Sequence, residues 1–111
     1  MSEDATWVRV CSSDELPDNS VRGFRIGRLE LAVYSSDGTL YATSDICSHQ
    51  REFLSDGFIE GCEIECPRHG ARFSLRTGEA LSLPATTPIE VFSIERRDHE
   101  IFVAVPTHYL A

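Results

Sequence analysis

The chain reads as an all-β protein in which an antiparallel sandwich carries a small inserted segment. Three observations lead there. Short segments that alternate apolar and polar residues recur along the chain, separated by turn residues. No stretch has the length and period of a stable helix. Between residues 44 and 83 the strands shorten, and Gly57, Gly61, Gly70 and Gly78 punctuate them. The two chain ends therefore build the base, about 1–44 and 84–111, and the middle, about 45–83, is the insertion.

The 111 residues make one domain by length, with enough apolar content (41%) to bury a modest core without disulfides. A strand over 6–10 comes first, then Ser12-Ser13-Asp14-Glu15, a capping-box pattern that predicts one helical turn before Pro17. Strands over 21–26 and 29–34 flank Gly27-Arg28, a two-residue hairpin connection. Asp37-Gly38 is a strong hairpin signal and leads into a strand over 40–43. Within the insertion, Glu63-Ile64-Glu65 and residues 71–75 read as strands, and Arg76-Thr77-Gly78-Glu79 as a turn. Pro84 and Pro88 mark a return segment, followed by strands over 89–96 and 100–105 joined by Arg97-Asp98-His99.

The net charge of −8 argues against nucleic acid, whose phosphates attract basic residues, and suits docking to a basic protein surface. No apolar run approaches the roughly 18 residues of a membrane span. Met1-Ser2-Glu3-Asp4 lacks a basic-then-apolar export signal, so the expectation is a cytoplasmic protein in a reducing compartment.

Two strings carry the chemistry: Cys47-Ser48-His49 and Cys66-Pro67-Arg68-His69. Each supplies a thiolate and an imidazole, and 16 residues separate them. This arrangement matches a Rieske-type [2Fe–2S] centre, in which two cysteines hold one iron and two histidines the other. Neutral imidazoles leave the cluster less negative than four thiolates would, so reduction is less opposed. Pro67 stiffens its loop, and Gly70 permits a close approach or an unusual backbone angle. Zinc is the rival reading, because two cysteines and two histidines can close a tetrahedral site. Its usual spacing pairs Cys with Cys and His with His, whereas the order here is Cys, His, Cys, His. The blander reading leaves these four side chains unconnected.

Beyond the ligand strings, the chain resembles the Rieske-type ferredoxins of bacterial aromatic ring-hydroxylating dioxygenase systems over nearly its whole length. The resemblance runs through Cys47-Ser48-His49, Leu54-Ser55-Asp56-Gly57, Gly61, Ile64-Glu65-Cys66-Pro67-Arg68-His69-Gly70, Arg72-Phe73, Thr77-Gly78-Glu79-Ala80 and Pro84-Ala85. It implies a single Rieske domain with one [2Fe–2S] cluster. It places Cys47 and Cys66 at the end of the cluster away from solvent and His49 and His69 on the solvent-facing iron. It implies an electron-transfer protein that transforms no substrate itself. Such a protein takes one electron from an NAD(P)H-dependent flavin reductase. It passes that electron to a terminal Rieske non-haem iron oxygenase acting on an aromatic compound. Encounters of this kind are small and weak, so a monomer is expected. The alternative from another class is the Rieske-like small subunit of a nitrite reductase-type enzyme, a permanent partner rather than a shuttle. A zinc-binding interaction module is the remaining one.

The respiratory-chain branch of the family differs at informative positions. It carries a disulfide between its two cluster loops where this chain has Glu52 and Arg68, so no such clamp is expected. It carries hydroxyl donors to sulfur where this chain has Ala71 and Phe73. Their loss predicts a potential near the low end of the Rieske range, roughly −150 mV.

Among the other candidates, Cys11 and Cys62 read as small packing residues and Trp7 and Phe24 as core. His99 and His108 have no partner at ligand spacing and read as solvated. Arg51, Arg68 and Arg72 crowd the ligand strings. They read either as solvated loop charges or as cations that orient partners at the face where electrons leave.

Overall fold

The structure, a computed structural model, describes residues 4–48, 52–68, 70–83 and 85–110. It is built almost wholly from antiparallel strands: β1 (Ala5–Ser12), β2 (Ser20–Ile26), β3 (Leu29–Ser36), β4 (Thr39–Ser44), β5 (Phe58–Glu60), β6 (Glu63–Glu65), β7 (Arg72–Ser74), β8 (Val91–Phe92), β9 (Ile94–Arg97) and β10 (Glu100–Pro106). Three single turns of 3₁₀ helix, at Ser13–Glu15, Leu54–Asp56 and Thr107–Tyr109, are the helical elements. The strands form three sheets, ordered β1-β10-β9, β2-β3-β4-β8 and β5-β6-β7.

Hairpin chemistry sets the registers. Ile26 pairs with Leu29 across Gly27-Arg28, and Ser36 pairs with Thr39 across Asp37-Gly38. Asp37 and Gly38 both hold positive φ, 50° and 78°, the signature of a tight turn whose twist matches its strands. Arg97 pairs with Glu100 across Asp98-His99 in the same way. These turns leave β3 and β10 in the middle of their sheets, where both edges are hydrogen-bonded.

Strand β3 explains how the layers stack. Its side chains alternate between two faces, as in any strand. Leu29, Leu31 and Val33 enter one core with Cys11, Leu16, Ala42, Ile101, Val103 and Val105. Ala32 and Tyr34 enter a second core with Leu54, Ile64, Phe73, Leu75, Ala85 and Ile89. The first core lies between the two larger sheets, the second between the middle sheet and β5-β6-β7. Each fully buried Leu, Ile, Val or Phe contributes about 1.5–3 kcal/mol relative to exposure. Tyr34 is buried with its hydroxyl 2.8 Å from Thr43 Oγ1, so its polar tip is satisfied inside the core. Burial raises the Tyr34 pKa well above that of an ordinary phenol.

Several expectations need correction. The strand expected over 89–96 is two: β8 pairs with β4, and β9 pairs with β10, so the chain changes sheets at Ser93. Strand β5 was not foreseen, because Gly57 and Gly61 bracket only three residues. The turn after Ser12 forms, but Ser12 caps no backbone N–H; its hydroxyl donates to the Glu15 carboxylate at 3.3 Å. Trp7 is 40% exposed rather than core, with the Arg97 guanidinium 5.2 Å from its ring. Cys62 is exposed because it sits in the Gly61-Cys62 turn rather than on a strand. Cys11 is fully buried and Phe24 partly buried against the first core, as read from the sequence.

Candidate metal centre

The two cysteines of the ligand strings stand at the tips of two hairpins built on one pattern. In the first, the rungs run Leu54 N–H to Asp45 O at 2.7 Å, an antiparallel bridge between Ile46 and Phe53, and Cys47 N–H to Glu52 O at 2.9 Å. In the second, Glu65 pairs with Arg72 and Cys66 N–H donates to Ala71 O at 2.7 Å. Each cysteine thus opens its tip by donating to the carbonyl five residues ahead. Gly70, at φ 71°, donates its N–H back to Cys66 O at 3.2 Å, folding the second tip on itself.

Both cysteines are buried, at 2% and 1% exposure, and both belong to the second core. Apolar groups surround them: Leu54, Ile64, Ala71, Phe73 and Ala85. The base sheet takes part through Ala32 and Tyr34. A third segment is tied in where the Ser48 hydroxyl donates to Thr87 O. His49 and His69 lie outside the described residues, as does Arg51. Among the described residues no three His, Cys, Asp or Glu side chains converge as metal donors. Cys47 and Cys66 are the described part of the expected ligand set.

The donor chemistry fits an iron–sulfur group. A bound metal takes a cysteine as its thiolate. Two such thiols, each at the head of a closed loop in one dry core, are soft ligands presented from two directions. A dry surround also shields a cluster from solvent, one of the terms that set its potential.

Charged groups flank the tips in defined pairs. Arg68 Nη1 donates to Glu52 Oε1 at 2.9 Å, joining one ligand string to the other. Arg72 lies against three carboxylates: Glu60 at 3.2 Å, Glu63 at 3.4 Å and Glu65 at 3.0 Å. The register puts Phe58, Glu65 and Arg72 in one cross-strand row, so this cluster lies on the sheet face opposite Ile64 and Phe73. Arg68 and Arg72 are both ion-paired. His99 is exposed in its turn, and the His108 ring lies 4.1 Å from that of Tyr109.

Sequence reasoning missed Asp45. It is 3% exposed, and its carboxylate accepts from Ser55 N–H at 2.6 Å and Ser55 Oγ–H at 2.8 Å. Burial raises its pKa above the usual carboxylate value, while the Ser55 bonds pull the other way. An acid just before a ligand string was the available signal.

An all-β base thus carries two cysteine-headed tips sunk in one apolar core. The sequence profile of the Rieske [2Fe-2S] domain matches residues 6–93, and the chain belongs to this family. The chain is 39% identical over 89 residues to the ferredoxin component of the naphthalene 1,2-dioxygenase/salicylate 5-hydroxylase systems of a Ralstonia species, covering 80% of this chain and 86% of that protein. It superimposes with a TM-score of 0.86 on the ferredoxin of carbazole 1,9a-dioxygenase from Nocardioides aromaticivorans IC177, at 34% identity, over 90% of this chain and 98% of that one. A ferredoxin in a complex of reduced oxygenase and oxidized ferredoxin in carbazole 1,9a-dioxygenase matches with a TM-score of 0.83 and 39% identity, over 88% and 92% of the two chains. The chain is thus an electron-transfer ferredoxin with one Rieske cluster, not a catalytic subunit, and zinc is set aside. No helix among the described residues is long and apolar enough to cross a membrane.

Proposed function

We propose that this ferredoxin carries single electrons from an NAD(P)H-dependent flavin reductase to a Rieske non-haem iron ring-hydroxylating oxygenase in the degradation of an aromatic compound. It works in the cytoplasm as a monomer that meets each partner transiently. Cys47 and Cys66 hold one iron, and His49 and His69 hold the other. The chain is one domain, with about 45–83 binding the cluster and about 1–44 with 84–111 forming the base. The observation that carries this reading is the joint burial of Cys47 and Cys66 in one core, each opening a hairpin tip that bears a histidine two or three residues on. Relatives of nearly equal length are ferredoxin components of aromatic dioxygenase systems, which supports the same role.

When bound, the cluster takes up and releases one electron. The protein's own part is placement and exclusion. Leu54, Ile64, Phe73 and Ala85 keep water from the thiolate end. The paired rungs at Cys47–Glu52 and Cys66–Ala71 hold the two tips so that the donors need no rearrangement on electron transfer. The net charge of −8 favours fast, salt-sensitive association with a basic partner face.

Electron paramagnetic resonance of the dithionite-reduced protein tests the site. The low average g-value of a mixed nitrogen and sulfur ligand set is expected, and H49A and H69A should each abolish the chromophore. Iron-free material, or colour that survives either substitution, rejects the ligand assignment. Sedimentation of the purified protein as a coloured monomer, followed by oxidation on mixing with an oxygenase, supports the shuttle. Obligate co-purification with a large catalytic subunit supports the permanent-subunit alternative.

A further inference from the structure

Asp45 sits where β4 ends and the first ligand loop begins, and it is nearly completely buried. No arginine or histidine among the described residues pairs with it. One residue meets both carboxylate oxygens: Ser55 donates its backbone N–H to Oδ1 at 2.6 Å and its hydroxyl to Oδ2 at 2.8 Å. The Asp45 main chain makes two further bonds. Its N–H donates to Glu30 O at 2.8 Å, and its carbonyl accepts from Leu54 N–H at 2.7 Å. One residue therefore holds strand β3, the start of the ligand loop and the turn that closes it.

A buried carboxylate without a counter-charge is costly in any protein. The packing nevertheless reserves space for this one. A Cβ added at Gly23, on β2, would lie 2.6 Å from Asp45 Oδ2 and 2.8 Å from Ser55 Oγ. Any side chain there would push the carboxylate off Ser55. Gly23 has no need of its glycine for backbone reasons, since it is not among the glycines with positive φ. The glycine, the acid and the serine fit together as one unit.

The loop needs such a unit. Between Asp45 and Leu54 the hairpin is zipped by three successive rungs. A slip of one residue would turn every side chain to the opposite face and point Cys47 away from the core. The Asp45 to Ser55 bonds lie beside the last rung and exist in one register only. The second loop has a cross-strand staple of its own, one rung nearer its tip: the Glu65–Arg72 ion pair at 3.0 Å.

We propose that Asp45 is the positioning residue of the first ligand loop: through Ser55, and in the space left by Gly23, it fixes the register that presents Cys47 to the cluster. The proposal rests on the assignment of Cys47 as a ligand. Removing the acid should loosen the hold on the cluster while leaving β1 and β10 intact.

The test uses the full-length holoprotein and four variants: D45A, D45N, S55A and G23A. The readouts are the rate of bleaching in a chelator, the g-values of the reduced state, and amide hydrogen exchange. D45A should bleach roughly 10–100-fold faster, the range found when groups that orient metal ligands are removed. Its Leu54 and Ser55 amides should lose protection while those of β1 and β10 keep theirs. D45N should stay within about twofold of wild type, since the amide oxygen still accepts from Ser55 N–H and the amide nitrogen can donate to Ser55 Oγ. G23A should resemble D45A, and the two changes should be less than additive, because alanine at 45 removes the closer of the two clashes and leaves the Ser55 hydroxyl free to turn away. If D45A does not fold, S55A deletes the hydroxyl arm alone and should bleach faster in the same direction. Wild-type bleaching and g-values in D45A, or equal loss of protection in β1 and β10, overturns the proposal. A colourless wild-type protein instead overturns the ligand assignment, so the two failures are distinct.

Discussion

Arg68 donates from Nη1 to Glu52 Oε1 at 2.9 Å, so a side chain of the second ligand string holds a side chain of the first. These are the positions where the respiratory branch carries its disulfide. Neither position can form a disulfide here, and an ionic contact joins them instead. Arg68 is largely exposed, with 65% of its side-chain surface open to solvent, so the pair is weak and salt-dependent. A double-mutant cycle on E52Q and R68M, read by urea unfolding, should give a coupling of about 0.2–1 kcal/mol at low salt. That coupling should fall toward zero in about 1 M salt. Coupling that ignores salt would mean the two side chains interact by packing alone.

Ala71 and Phe73 are buried in the same core as Cys47 and Cys66, and neither side chain can donate a hydrogen bond. A hydroxyl that donates to cluster or cysteine sulfur favours the more negative, reduced state. A hydrogen bond to a charged acceptor contributes about 1.5–3 kcal/mol, and only the part that differs between redox states moves the potential. With about 59 mV for each 1.4 kcal/mol, A71S and F73Y should each raise the potential by roughly 20–60 mV. The wild-type value should fall near −150 mV. Protein-film voltammetry checks both; a wild-type potential above zero contradicts the argument.

Gly57 is needed for space. A Cβ there would lie 2.1 Å from the carbonyl oxygen of Glu65, the residue before Cys66. That carbonyl belongs to β6 and cannot swing away as a side chain would. G57A should destabilise the protein by about 1–3 kcal/mol. Urea denaturation measures this.

The cysteines outside the ligand strings should behave oppositely. Cys62 is exposed and should react quickly with a thiol reagent; C62S should remove the fast phase. Cys11 is buried, and burial pushes its thiol pKa up, with Glu15 adding to the effect and Arg22 and Arg9 opposing it. The folded thiol keeps its proton where the unfolded thiol, with a pKa near ~8.5, loses it. Stability attributable to Cys11 is therefore complete below that pH and declines as pH rises above it. Urea midpoints measured from pH 7.5 to 9.5 should fall less steeply in C11A than in wild type.

The parts of the fold that follow from local chemistry were legible. Gly27-Arg28 and Asp37-Gly38 announce hairpins because few residues tolerate those angles, and the ligand strings announce the cluster because few sites need that donor order. What was not legible depends on distant partners. Alternation over 89–96 cannot reveal that the chain leaves one sheet for another at Ser93. Cys62 reads as a packing residue by composition, but the ladder begins only at Glu63. Trp7 looks like core by composition, yet it lies on an outer face, where Arg97 covers it. Asp45 was passed over because its role appears only when Ser55 and Gly23 come together in space.

Strand β3 has no side facing water along most of its length, since one row of its side chains belongs to the base and the other to the thiol-bearing core. A partition of this kind couples the two halves mechanically. A residue exchanged on either face of this strand is therefore felt by the sheet packed on the other. Anyone retuning the redox end by redesign has the surface loops to work with, but not this strand, where every exchange of residue disturbs one compartment or the other.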